Sequence, residues 1–452
     1  MIENKELRFL ARLDRGNMNI NLAKDIYDYY KPIKANLEKK YSNYLSKNLD
    51  IQRRHFSDPN KVNNKLNFDY RKSIVDQSVG YILGKAINFV INDPKITNST
   101  NKYNENQLFS VSNEINSFMI KNNFQKSLIK VCKDAGIMGF GAIWVYVDKE
   151  TAEFKTMPLS SYNCFSLGSN SEGTYRHGFI FEEAYNAQGV QYVKCTYSNE
   201  KYIEVYNIFS SGAKRESKVF HYFGVNPLII VKNNMEMQND FDNVDSLINA
   251  VDKLMSDAQN ESEEQRLAYI VLQGKENITQ EVVERARQTG VFKIPEDAKM
   301  YYLTKDINPA IISEHYDKLN ENIWKLSNSV DFTDQKFSEA SGEARKWKLI
   351  NLENKSTLKI VELKASLRTM FKAYMNVLRF SNLPNVDYFD IQFVLTRALP
   401  VDLTYVADYI NKLAPHVSRE TLMSLMPFVE NPSEEIAKID GEEPSTPEEI
   451  EE

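Results

Sequence analysis

The chain has 452 residues, 42% of them hydrophobic and 12% aromatic, with 56 Lys and Arg against 62 Asp and Glu for a net charge of −6. That is enough apolar material for a sizeable core in two to four structural regions, and it excludes a largely disordered chain and one held to nucleic acid by bulk basic charge. Cys132, Cys164 and Cys195 are odd in number, far apart and without a CxxC pair, which argues against a disulfide framework or a zinc site and for a reducing compartment.

The first 17 residues carry charges through their only apolar patch, unlike a signal peptide, and no run approaches the eighteen or more apolar residues of a spanning helix. Residues 1–65 are rich in Asn, Lys and Tyr and predict one or two surface helices interrupted near Pro32. Phe68, Ile74, Val75, Val79 and Ile82 predict a buried helix ending near Gly84, then a strand at 87–91; residues 105–135 predict a helical pair.

Gly136, Gly139 and Gly141 then lead into the β-prone run 142–148. Here the glycines follow a helix and precede a strand. A dinucleotide loop needs the reverse order, so a close-packed turn is expected. From Tyr175 to Val231, short β-prone runs (177–185, 191–198, 201–209, 218–224 and 227–234) alternate with polar turns, an antiparallel region.

Next, Val244, Leu247, Val251, Leu254 and Ala258 mark an amphipathic helix over 240–264, widened by Ile248 and Met255. Its other face carries Asp242, Asp245, Asp252, Asp257, Glu261 and Glu263 against Lys253, an acidic surface. Residues 268–305 predict strand, short helix, strand. A second rod follows, with Ile312, Tyr316, Leu319, Ile323, Leu326 and Val330 in its seam. A polar loop at 332–344 leads to a long helix to about 380, rich in Lys and Arg; that contrast with the acidic rod suits packing between helices or attraction of phosphates. The strand-like run 386–398 and a helical stretch 401–426, with Ser418 near a helix start, come last. The tail from Glu430 carries ten acids and one base and reads as disordered.

Catalytic motifs do not emerge. His55, His177, His221, His315 and His416 lie in separate segments without metal-ligand spacing, and no nucleophile elbow or Walker lysine occurs. No metal or cofactor is implied. The many carboxylates leave a metal-dependent DNA-processing enzyme as the alternative reading, and the amphipathic rods alone would suit a helical scaffold protein.

In this order and spacing the segments 63–89, 139–148, 221–234, 240–263, 267–274, 341–353, 393–413 and 417–435 resemble the SPP1-type bacteriophage portal proteins. The resemblance implies an α+β, mainly helical portal fold with wing, stem, clip and crown regions, assembled as a ring, usually of twelve copies, at a capsid vertex. It implies a wing at 1–239, stem helices at 240–266 and 307–331, a clip at 267–306, a tunnel loop at 332–344, a long basic helix of the wing at 345–380, a crown at 381–430 and an acidic tail at 431–452. Gln335, Lys336, Phe337, Ser338, Glu339, Ser341 and Gly342 would face DNA from the tunnel loop. Asp245, Asp252, Asp257 and Glu261 would line the channel. Gln273, Lys275, Glu284, Arg287 and Lys293 would dock a terminase or adaptor. Double-stranded DNA would pass without sequence recognition, and the partners would be the major capsid and scaffolding proteins, the terminase large subunit and a head-tail adaptor, in the virion and in host cytoplasm during assembly. Ala86 stands where many relatives have proline.

Overall fold

In the computed structural model, the described residues run from 4 to 441 apart from 60, 93–94, 98–99, 170–173, 266–268, 274–280, 282–283, 286–288, 290–298, 304–308, 334–343, 345–346, 381–385, 399–409, 425, 427–428 and 430–431. Their contacts divide them into two units, 1–396 and 397–452. The first mixes helices with antiparallel sheets.

It opens with α1 (Asn4–Asp14) and α2 (Ile20–Tyr44), the latter started by Asn19, whose side chain accepts from the Leu22 amide. α2 runs straight through Pro32, where an interruption was expected. Pro32 is exposed, so water can reach the carbonyl its ring leaves without an amide partner, while the opposite face buries Leu22, Ile26, Tyr30 and Leu37. α2 is a surface helix with one face in the core: that buried face packs on a five-stranded sheet ordered β10-β9-β8-β7-β6, formed by Gly212–Phe220, Tyr202–Phe209, Gln191–Ser198, Tyr175–Tyr185 and Cys164–Ser169. The last edge strand, β6, was not foreseen, and β10 begins six residues before the expected run because a turn at 210–211 and Gly212 close a tight hairpin onto β9.

α3 (Tyr70–Leu83) ends at Gly84 as expected. Strand β1 (Asn88–Ile91) and the short pair β2 (Lys95–Thr97) and β3 (Thr100–Asn101) follow, then α4 (Glu105–Lys121), opened by a reciprocal Asn104–Gln107 cap, and α5 (Phe124–Met138). Next come β4 (Phe140–Val147), β5 (Phe154–Leu159) and β11 (Leu228–Lys232), a three-stranded sheet ordered β11-β4-β5. Gly139 makes the α5–β4 junction at φ +96°, where a Cβ would lie 1.9 Å from the Met237 carbonyl oxygen. The glycines are therefore a packed helix-to-strand turn.

α6 (Asp245–Gln265) and α7 (Pro309–Leu326) are the two rods, separated by β12 (Tyr269–Gln273) and β13 (Lys299–Leu303), which pair antiparallel. α6 starts five residues later than expected, after a turn at 240–244. Its buried line is Val244, Ile248 and Val251, packed with Ile323 of α7 and with α3, so Ile248 sits at the centre and Leu254 is half-buried. Leu326, assigned to the seam of α7, is 50% exposed because Asn328 at φ +52° turns the chain away before another helical turn can form.

α8 (Ile350–Leu378) crosses the first unit and buries Leu352, Ile360, Leu363, Leu367, Met370, Phe371 and Tyr374. Tyr374 meets Phe118 at 4.6 Å and Phe154 at 5.1 Å between ring centroids. This aromatic knot ties α4, α8 and β5 into one core. β14 (Ile391–Val394) pairs with β1, so this stretch of the expected crown belongs to the first unit. The second unit holds α9 (Arg419–Ser424), whose first amides Ser418 caps, and α10 (Pro432–Gly441). α10 corrects the disordered-tail reading for 432–441: Ile436 and Ile439 are half-buried and Arg419 pairs with Asp440 at 2.5 Å, so charge repulsion along the acidic run is partly relieved.

Candidate functional site

The α6–α7 hairpin is the feature on which the other segments of the first unit converge. α6 carries a polar stripe, Asp252, Ser256 and Asn260, at four-residue spacing, so all three point the same way. A strap of extended chain at 63–69 lies along that stripe. The Asn64 amide donates to Asn260 Oδ1 (2.7 Å), the Leu66 amide to Ser256 Oγ (2.9 Å) and the Phe68 amide to Asp252 Oδ1 (2.8 Å). The match is geometric: alternate residues of an extended chain advance about 6.6 Å, and four residues of helix advance about 6 Å. One buried helix face thus satisfies three backbone donors that have no sheet partner.

This changes the meaning of the acidic face. Asp252 is 1% exposed, its Oδ2 has no partner, and burial pushes its carboxyl up to about 6. It cannot line a channel in this conformation. Asp245 accepts from Arg71 Nε at 2.6 Å, with the same guanidinium donating to Asn249 Oδ1 at 2.7 Å, and Asp257 accepts from Arg54 at 2.6 Å. Asp242 pairs with Lys40 at 3.0 Å. Glu261 is half-buried. The surface read as acidic is mostly a lining of paired charges and hydrogen bonds, since a helical pattern cannot tell water from a polar strap.

At the start of the hairpin Asp240 is buried. Its Oδ2 accepts from Lys359 Nζ at 2.6 Å, its Oδ1 from Asn233 Nδ2 at 3.0 Å, and Lys355 Nζ lies 3.7 Å from Oδ1. Lys359 also donates to Ser78 Oγ at 2.8 Å, and Lys355 to the Ser327 carbonyl at 2.9 Å. Burial alone would raise the Asp240 carboxyl, but the two ammonium groups and the Asn233 amide outweigh it and hold it low. Burial lowers Lys355 to about 8. The cluster joins α3, β11, the start of α6, the end of α7 and α8 through one carboxylate. It is the helix-to-helix role among those considered for the basic helix.

The other sequence-selected residues divide by where they fall. Gln335, Lys336, Phe337, Ser338, Glu339, Ser341 and Gly342 lie outside the described residues, as do Lys275, Arg287 and Lys293. Gln273 ends β12 opposite Lys299, and Glu284 is exposed in a helical turn. Asp240, Ser256 and Asn260 were not singled out as site residues; the Asp252-Ser256-Asn260 spacing is the signal that could have found the last two. All three cysteines are free, and His177 is buried between Asp14 and Tyr197, each 2.9 Å from a ring nitrogen. Among the described residues no group of three or more His, Cys, Asp or Glu could hold a metal ion, and none of the helices there is long and apolar enough to cross a membrane.

Compared with known proteins, residues 17–448 match the profile described as "Phage portal protein, SPP1 Gp6-like", which places this α+β chain in the class of phage portal proteins. The portal protein of Bacillus phage SPP1 is 21% identical over 440 residues, covering 91% of this chain and 82% of that one; the portal protein of Clostridium phage phiCD119 is 21% identical over 456 residues, covering 96% and 94%. The chain belongs to the SPP1 Gp6-like family of phage portal proteins.

Proposed function

We propose that the chain is one subunit of a homo-oligomeric ring, of twelve copies, that forms the DNA channel at the capsid vertex, packages and ejects double-stranded DNA, and docks first the terminase motor and then head-tail connector proteins. The observation that carries this reading is the family match across almost the whole chain; the α6–α7 hairpin with its paired strands β12 and β13 supports it as a candidate stem and clip.

Within this reading the hairpin is the stem. Half-exposed Asp245, Asp257 and Glu261 supply what negative charge it offers passing phosphates, and Asp252 takes no part. The loop containing Gln335–Gly342 is the tunnel loop, and the face with Gln273, Lys275, Glu284, Arg287 and Lys293 docks the motor and adaptor. Contact with DNA is to backbone and independent of sequence. The carboxylates that motivated a metal-dependent enzyme are engaged instead with Arg54, Arg71 and the 63–69 strap. Mass photometry of the purified chain tests the reading: one closed oligomer of uniform mass is expected, and a monomer persisting across concentration and salt would contradict it.

A further inference from the structure

α8 is apolar on two sides. One side fills the core. The other presents Trp347, just before the helix, with Ile350, Leu358 and Val361, which are 71%, 44%, 65% and 58% exposed. Spacings of three, eight and three residues place them along one line of a helix. An isolated exposed leucine needs no explanation, but four large apolar groups on one helix face mark a contact surface. The remaining exposed positions from 347 to 368 are Lys348, Asn351, Asn354, Thr357, Lys364 and Arg368, with no acid among them. The ridge is apolar and basic.

Elsewhere on the same unit, α3 and α7 with the turn at 330–333 enclose an open groove of about 480 Å³. Tyr70, Tyr316, Trp324 and Phe332 give it aromatic walls, and Asp331 is its charged group. No Lys or Arg lines it. The Thr333 amide donates to Asp331 Oδ1 at 2.9 Å and Asn320 Nδ2 to Oδ2 at 3.5 Å, which fixes the carboxylate's direction. Asp317 and Glu321, exposed on α7 one turn apart beside the groove residues Tyr316 and Asn320, extend the negative rim, and Lys325, one turn further on, ends it.

We infer that the α8 ridge of one copy seats in the α3–α7 groove of the next. The shapes suit each other, a helical ridge against a groove between two helices, and so do the charges, Lys348, Lys364 and Arg368 against Asp317, Glu321 and Asp331. Ridge and groove are different surfaces, so the contact is head-to-tail: each copy offers a ridge to one neighbour and a groove to the other, and the series ends only when it closes. This pairing rests on the ring reading and specifies which faces make the ring. It also occupies the α8 surface that would otherwise remain an aggregation hazard.

Paired cysteines test it in the full chain. Ser73, exposed on the groove wall, becomes cysteine together with Leu358 on the ridge (S73C with L358C). Mild oxidation followed by a non-reducing denaturing gel is expected to give a ladder of covalent multimers ending at the ring size, absent from either single variant and from the parent chain, all carrying C132S because Cys132 is only partly buried while Cys164 and Cys195 are buried. Rings without a ladder would overturn the pairing and leave the ring reading standing; a fast-running cross-linked monomer would overturn it by placing both surfaces within one copy. A parent chain that never associates would defeat the ring reading and this pairing with it. As a second measurement, L358E with V361E should weaken association at least tenfold with little change in thermal midpoint, since both positions are exposed, and Asp331→Lys should restore part of it. Undiminished association of the double variant would also overturn the pairing.

Discussion

Replacing Asp240 by Asn removes the carboxylate that the Lys355 and Lys359 ammonium groups share, while keeping side-chain volume and an oxygen for Asn233. Breaking a buried ion pair from one side costs about 3–5 kcal/mol. Here the lower end applies, because Lys355 has an escape. With its pKa already down to about 8, losing its proton at pH 7 costs about 1.4 kcal/mol, which caps its share. Lys359 has the Ser78 hydroxyl as its other partner. The sign of the pH dependence follows from the protons. Between the variant's further lowered lysine value and pH 8, native parent protein holds one proton more than the native variant, so the parent's advantage shrinks as pH rises. It also shrinks as pH falls through the depressed folded value of Asp240, since stability from a lowered carboxyl is present above the ordinary carboxylate range and lost below it. Urea unfolding at pH 5, 7 and 9 should give a loss of about 3 kcal/mol at pH 5–7, smaller at pH 9, and adding Lys359→Met should recover at least half. A loss under about 1 kcal/mol, unchanged with pH, would refute the argument that this carboxylate is held by its lysines.

Other substitutions test other parts of the account. Asp252→Asn should stabilise the chain at pH 7 and lose that advantage near pH 4: a raised carboxyl value means that native protein holds its proton longer, so the parent loses stability as pH climbs from the ordinary value to about 6. An equal midpoint shift at both pH values, read by thermal scanning, would rule this out. Ser256→Ala removes the acceptor for the Leu66 amide and should cost about 1 kcal/mol; hydrogen exchange should show Asn64, Leu66 and Phe68 amides protected in the parent and Leu66 exchanging faster in the variant. Gly139→Ala must move the Met237 carbonyl out of a 1.9 Å clash and adopt φ +96°, so soluble yield should collapse; normal expression and melting would show that the α5–β4 turn is misdescribed. Deleting Gln335–Glu339 should leave ring assembly intact and abolish packaging of DNA into heads, measured by counting filled particles.

Regular elements with a strong apolar period were legible in the sequence: α3, the α4–α5 pair, β4, β12, β13 and the two rods all lie where the spacing put them, within a few residues. What failed to show has a common cause. α1 is short and charged, β6 has six residues and follows a 3-10 turn, and the 63–69 strap is an Asn-rich extended stretch with no ladder partner. Each gains its order from a distant surface. The same blindness made Asp252 a channel group: Ser256 and Asn260, four and eight residues on, are polar, and the strap 184 residues earlier in the chain turns that polarity inward. In the sequence Asp240 reads only as the first residue of the acidic helix, and it instead fixes the start of α6 to α8 through Lys359, 119 residues away. Pro32 misled for a different reason, since the penalty for proline in a helix depends on whether its freed carbonyl meets water.

A reconstruction of the purified chain by electron cryomicroscopy addresses the central claim most directly. Closed rings are expected, with the α6–α7 hairpins around a central hole and the α8 face carrying Leu358 and Val361 against the α3–α7 groove of the neighbour. Particles that remain single copies, or rings whose hairpins point away from the hole, would contradict it.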